Sequence, residues 1–267
     1  MIKRNRLNID LKIGTSGYSY DDWRGAFYPP EIPKSKMLEF YSLYFQTVEL
    51  NATYYTIPSS QTFRSLAQKT PQNFEFIIKA NQETTHRRKE NKQALNKLLE
   101  AIKPLIEVNK FQGFLAQFPY SFKNTETNRG YLVETKNLLQ DNALFVEFRN
   151  YTWLNPQIPE FLEENGIGYV NVDEPKLKGL LPIQDLVTNN IGYIRLHGRN
   201  DKSWWDGIGS ERYDYEYNEE ELKEWLIHIS NILKKSYKTY IFFNNHPGAK
   251  AVKNAQQIME LLKTKLN

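Results

Sequence analysis

The 267-residue sequence contains no cysteine. Disulfides, thiolate metal sites, iron–sulfur clusters and cysteine nucleophiles are therefore excluded. No apolar run approaches the roughly 20 residues that a membrane-spanning helix needs. The basic opening stretch MIKRNRLNIDLKIG is followed by no continuous apolar segment, so no targeting signal is visible. A soluble, cytoplasmic protein with no membrane partner is the expectation. No linker rich in Gly, Ser or Pro divides the chain, and no repeat of fixed length recurs. One domain over residues 1–267 is expected. Gly14 and Gly17 lack the third glycine of a phosphate fingerprint, so no nucleotide cofactor motif is present. Charge of either sign is not in excess either. Thirty-five Lys and Arg against 31 Asp and Glu leave +4, far from the density of an obligate nucleic-acid binder.

What is present is a globular composition, 40% hydrophobic and 25% charged, with enough apolar residues for a large core. Short β-like runs alternate with stretches of helical spacing. The β-like runs are 11–16, 47–52, 74–80, 111–118, 144–148, 168–173, 191–197 and 239–245. Helices are expected over 34–45, from Ser59 or Ser60 through SLAQK, over 90–103, and near 126–140, 157–165, 218–235 and 249–265. The connection EPKLKGLLPIQDLVTNN, broken by Gly179 and Pro182, makes a weak or irregular sixth helix. Alternating strands and helices imply parallel strands with right-handed crossovers. Eight runs over this length favour a (β/α)8 TIM-type barrel over an open doubly wound sheet.

Period-two geometry then assigns faces. In TVELN, Val48 and Leu50 face the helices while Glu49 and Asn51 point inward. The same alternation turns Lys79, Gln117, Glu147, Arg149, Arg195 and His197 inward. It also turns Asn171 and Asp173 inward, with Val170 and Val172 outward. On the last run, either Asn244 or Asn245 points inward. These polar residues sit at the carboxyl ends of their runs, which in a barrel share one mouth. One pocket containing Glu49, Lys79, Gln117, Glu147, Arg149, Asp173, Arg195 and His197 is predicted. Charges of both signs persist out of water only when paired, solvated or bound to a ligand. A structural ion network and a reactive site both satisfy that condition.

The sequence resembles the YecE-like family, the proteins of domain of unknown function 72. The resemblance is carried by IGTSGYSYDDWRGAFYP (13–29), VELNATYYTIP (48–58), FIIKANQETTH (76–86) and LAQFPYSF (115–122). VEFRNYTW (146–153), YIRLHGR (193–199), YDYEYNEEEL (213–222) and FFNNHPGAKAVKNA (242–255) continue it in order along the chain. The resemblance implies a TIM barrel and supplies no reaction.

The residues themselves point to acid–base chemistry on an anion, a phosphorylated or carboxylated small molecule or a nucleic-acid fragment. Lys79, Arg149 and Arg195 would neutralise it. His197, which titrates near neutrality in water, would move protons with help from Asp173, Glu147 or Glu49. Asn51, Gln117 and Asn244 would fix hydroxyl or phosphate oxygens, and Tyr18 and Trp23 would wall the pocket. Glu147, Asp173, His197 and His246 are acceptable ligand types for a divalent metal. There is no HExxH, however, and the nearby arginines would repel a cation. A metal-dependent phosphodiesterase or sugar isomerase and a non-catalytic binder of nucleic acid or protein are the alternatives. The aromatic stretch 203–217 would either cover the pocket or stack on a ligand.

Overall fold

The computed structural model describes residues 10–266. The basic stretch over residues 1–9 lies outside the described residues. Strands and helices alternate throughout. In order they are β1 (Asp10–Thr15), α1 (Lys34–Tyr41), β2 (Thr47–Leu50), α2 (Ser60–Gln68), β3 (Glu75–Lys79), α3 (Asn91–Glu107), β4 (Phe111–Gln117) and α4 (Glu126–Leu138). There follow β5 (Leu144–Glu147), α5 (Ile158–Glu164), β6 (Ile167–Tyr169), β7 (Asn171–Asp173), β8 (Ile191–Leu196), α6 (Glu219–Leu233), β9 (Lys238–Phe243) and α7 (Lys250–Leu266).

Local chemistry accounts for several boundaries. Asn218 opens α6 with a capping box: its side chain accepts from Glu221 N at 2.9 Å, and the Glu221 carboxylate accepts from Asn218 N at 3.0 Å. Glu219, Glu220 and Glu221 complement the positive end of the helix dipole. In α3 the stripe Leu95, Leu98, Ile102 and Leu105 is fully buried, and the helix continues through a buried Pro104. Ser59 precedes α2 but makes no capping bond. Its hydroxyl lies 3.3 Å from that of Thr62 instead.

All strand pairs are parallel, as strand–helix alternation requires. They form a four-stranded sheet, β1-β9-β8-β7, and a five-stranded sheet, β2-β3-β4-β5-β6. Regular pairing therefore yields two sheets rather than one closed ring. The run expected as one strand over 168–173 is divided at Val170 into β6 and β7, one pairing with each sheet. On the other side the backbone hydrogen bonding between the sheets, among the described residues, is an isolated bridge, Ser16 with Glu49, with a bond from Gly17 N to Glu49 O of 2.7 Å. Gly113, at φ +142°, absorbs a register shift between β3 and β4.

The core has two parts. A large cluster fills the space between the strands and the helices. A smaller one, Ile77, Leu115, Phe145, Val170, Val172, Tyr193, Tyr240 and Phe242, combines residues of both sheets. Val170 and Val172 thus join the inner cluster, and Asn171 and Asp173 face outward, the reverse of the expected alternation. The cause lies in the segment 174–190, which forms no helix. Its exposed backbone needs polar partners, which a flanking helix would not. Asn171 supplies them, donating to Leu186 O at 2.9 Å and accepting from Leu186 N at 3.0 Å.

Gly14 marks the closest approach of β1 to β2. A Cβ there would lie 2.3 Å from Thr47 O. Gly14→Ala is expected to cost about 1–3 kcal/mol through forced separation of the two backbones. An unchanged thermal melting midpoint would show that this junction yields freely.

Candidate functional site

Beyond the inner apolar cluster, at the carboxyl ends of the strands, carboxylates and guanidiniums alternate in one chain. Tyr193 OH donates to Glu49 Oε2 at 2.6 Å, and Arg195 Nη2 to Glu49 Oε1 at 2.6 Å. Arg195 Nη1 donates to Glu147 Oε2 at 2.5 Å, and Arg149 Nη2 lies 2.6 Å from Glu147 Oε1. Arg149 Nη1 donates to Glu174 Oε2 at 2.8 Å, and Leu181 N to Glu174 Oε1 at 3.3 Å. Every one of these ionic side chains is buried. Period-two alternation explains the convergence, since Glu49 on β2, Glu147 on β5 and Arg195 on β8 share their strands' inner face.

The network sets protonation. Burial alone would push the Glu147 carboxyl up, but Arg149 and Arg195 hold it well below the usual carboxylate range. Among the described residues Glu174 has Arg149 alone for an ion-pair partner, and burial pushes it up to about 7. For His197, burial and then the Arg149 guanidinium push the imidazole down to about 3, against the pull of Glu147. It is therefore neutral at pH 7. Nε2 lies 3.1 Å from Glu147 Oε1, which can only accept, and 3.1 Å from Arg149 Nη2, which can only donate. Nδ1 lies 3.0 Å from the Asn244 side-chain amide. Both ring nitrogens are engaged and the residue is 0% exposed. The reading of His197 as an open-mouth acid–base group is corrected: it is a satisfied neutral imidazole beneath the surface.

The open space lies above. A cavity of about 560 Å³ is lined by Tyr20, Asn51, Tyr54, Tyr55, Lys79, His86, Gln117, Gly209, Ser210, Arg212, Tyr213, Asn244 and His246. Of the expected residues, Asn51, Lys79, Gln117 and Asn244 reach it, while Glu49, Glu147, Arg149 and Arg195 lie in the buried chain. Lys79 donates to Gln117 Oε1 at 2.9 Å. Burial and then Arg195 push its ammonium down to about 8, opposed by Glu49 and Glu147. His86 is pushed down to about 4 by burial and then by Lys79.

Three placements are corrected. Asp173 faces outward, bound by Arg199 Nε at 2.9 and 3.1 Å, with Glu224 on the far side of the same guanidinium at 3.1 Å. Trp23 does not wall the cavity. It is buried, donates to His246 O at 2.7 Å, and backs Tyr20 at a ring separation of 4.9 Å. Tyr18 is turned toward Tyr41, and its near neighbour Tyr20 lines the cavity instead. Glu174, Arg212 and Tyr54 were missed. Glu174 follows a strand whose face was misassigned. Arg212 and Tyr54 lie in short turns, where no periodicity reveals direction. The stretch 199–217 covers the mouth: Trp204 packs 5.3 Å from the Arg149 guanidinium and 6.3 Å from His197, and Tyr213 lies 5.9 Å from His197. Its base is tied by Gly198 N to Tyr217 OH at 2.8 Å and by Asn245 to Tyr215 O at 2.9 Å.

The family model described as "Protein of unknown function DUF72" matches residues 12–267. The chain belongs to the DUF72 family. It is 32% identical to the UPF0759 protein YunF of Bacillus subtilis, with 94% of each chain covered. A DUF72 family protein of Thermotoga maritima, known from a crystal structure, is 40% identical with a TM-score of 0.88, covering 95% of this chain and 99% of that one. A DUF72 family protein of Enterococcus faecalis is 27% identical with a TM-score of 0.85, covering 95% of each chain. None of these names states a reaction, so the chemistry of this DUF72 protein is read from its geometry. Among the described residues no helix is long and apolar enough to cross a membrane, and no group of three or more His, Asp or Glu could hold a metal ion.

Arg195→Met is expected to cost about 3–5 kcal/mol in chemical denaturation, because Glu49 and Glu147 lose a buried counter-charge. A second expectation concerns pH. The unfolded chain protonates His197 near the ordinary imidazole value of 6.5, the native one only near 3, so this residue makes stability fall with decreasing pH across that window. Glu174, raised from 4.5 to about 7, acts with the opposite sign between those values. His197→Gln removes only the first contribution. The stability lost between about pH 7 and about pH 4 should therefore be smaller in the variant, as read by urea midpoints. An equal loss would mean that His197 is protonated in the native protein.

Proposed function

We propose that this DUF72 protein is a single-domain enzyme that binds an anionic small molecule at the carboxyl ends of its strands. The class is a phosphorylated or carboxylated compound, free or as part of a nucleic-acid fragment. The supporting architecture is a (β/α)8 barrel whose halves are the two sheets. Only Val170 separates β6 from β7, and the Ser16–Glu49 bridge joins the other edges. In such a barrel the mouth at the strands' carboxyl ends is where activity sits.

One observation carries the reading. The cavity lining holds Lys79, Arg212, His86 and His246, with the amides of Asn51, Gln117 and Asn244, and no carboxylate. The acids of the region are paired underneath with Arg149 and Arg195, so the cavity lining itself keeps cationic and donor groups. Asn51 Oδ1 has no hydrogen-bond partner among the described residues. An acceptor beside the cations suits a ligand hydroxyl next to the anionic group. The tyrosines 20, 54, 55 and 213 offer faces for a sugar or base ring, which favours a nucleotide-like fragment among the anions. Proton transfer in this reading falls to Lys79 rather than His197, because Lys79 both titrates near neutrality and reaches the cavity.

Calorimetric titration with inorganic phosphate tests the anion site. Arg212→Ala and Lys79→Met should each weaken binding about tenfold. Phosphate binding that survives both substitutions, or binding absent in the unaltered protein, overturns the proposal.

A further inference from the structure

The cavity holds one amine whose surroundings differ from those of the other buried lysines. Lys110, just before β4, spends its ammonium on three oxygens at the carboxyl end of α2: Ala67 O at 2.6 Å, Thr70 O at 2.8 Å and Thr70 Oγ1 at 3.0 Å. Lys238, at the opposite end of the strands, is paired with Glu75 at 2.8 Å and Asp10 at 3.2 Å. Both are structural. Lys79 ends β3, lines the cavity, and among the described residues makes one hydrogen bond, to the neutral Gln117 amide. No carboxylate of the described residues lies within ion-pairing distance of it. The Tyr54 ring lies 5.1 Å from Nζ.

We propose that Lys79 is a Schiff-base lysine, and that the anionic ligand of this cavity carries an aldehyde or ketone carbonyl. This deepens the reading of the cavity as an anion site and rests on it. A lysine becomes a nucleophile when it is partly desolvated and stands near other cations rather than beside a carboxylate. Those conditions are met here. Burial and Arg195 disfavour the ammonium, the buried Glu49 and Glu147 favour it at longer range, and Arg212 and His86 share the cavity. The chemistry balances without a further reactant. The ammonium releases a proton, and the amine attacks the carbonyl carbon to form a carbinolamine. The departing oxygen takes that proton and one from the nitrogen and leaves as water. The product is an iminium that retains the single positive charge. An iminium withdraws electrons from the neighbouring carbon, which suits proton abstraction or carbon–carbon bond cleavage next to the carbonyl. Arg212 and the cavity amides would hold the phosphate or carboxylate meanwhile.

The test is reductive trapping. The full chain is incubated with pyruvate or with dihydroxyacetone phosphate, reduced with borohydride, digested and mapped by mass spectrometry. Labelling of Lys79 should exceed that of any exposed lysine by about tenfold or more. Lys79→Arg keeps the charge but cannot form the imine, so it should lose this label, and phosphate binding is measured on the unaltered protein. Labelling spread evenly over surface lysines, or absent from Lys79 with both probes, overturns the proposal. If phosphate still binds in that case, the anion site stands and only the covalent step falls. If phosphate does not bind either, the underlying reading of the cavity has failed.

Discussion

The alternating chain of carboxylates and guanidiniums is the constraint from which the rest of the region follows. Glu49 and Glu147 belong to the five-stranded sheet and Arg195 to the four-stranded one, so each ion pair between them is also a tie between sheets. Hydrogen bonding between the sheets is sparse, and at Val170 the strand itself is divided. A buried charge left unpaired costs several kcal/mol, whereas the paired chain tolerates only a narrow set of separations. The register of β2, β5 and β8 is therefore held by electrostatics as well as by apolar packing.

That chain also decides what the cavity above it can be. The two guanidiniums below bind Glu49, Glu147 and Glu174, and none of these carboxylates lines the opening. The cavity is left with cations, amides and phenols. His197 shows the same logic from the other side. Burial and two arginines nearby make protonation costly, and the neutral ring lies in contact with Glu147, Arg149 and Asn244. The histidine orients an amide that reaches the cavity without entering it.

The aromatic stretch after β8 completes the enclosure. Trp204 lies over Arg149 and excludes water from the ion chain, which strengthens every pair beneath it. Tyr213, from the same stretch, faces the cavity instead. One segment thus seals the buried layer and lines the open one, and the expectations of a cover and a stacking surface describe different residues within it.

Element order, strand polarity and most face assignments were legible in the sequence, because period-two and period-3.6 patterns are local and each run carries its own record. They placed Glu49, Glu147, Arg149, Arg195 and His197 together correctly. The pattern failed at Asn171 and Asp173, where polar residues face a helix-free segment that needs hydrogen-bond partners. It could not separate layers either. Lys79 and His197 look alike in sequence, each a polar residue ending a β-like run. Depth along the inner face, and which counter-charge reaches which group, depend on how far each strand advances relative to its neighbours. Only tertiary packing sets that advance. It left His197 sealed between an arginine and a carboxylate, and Lys79 at the edge of open space.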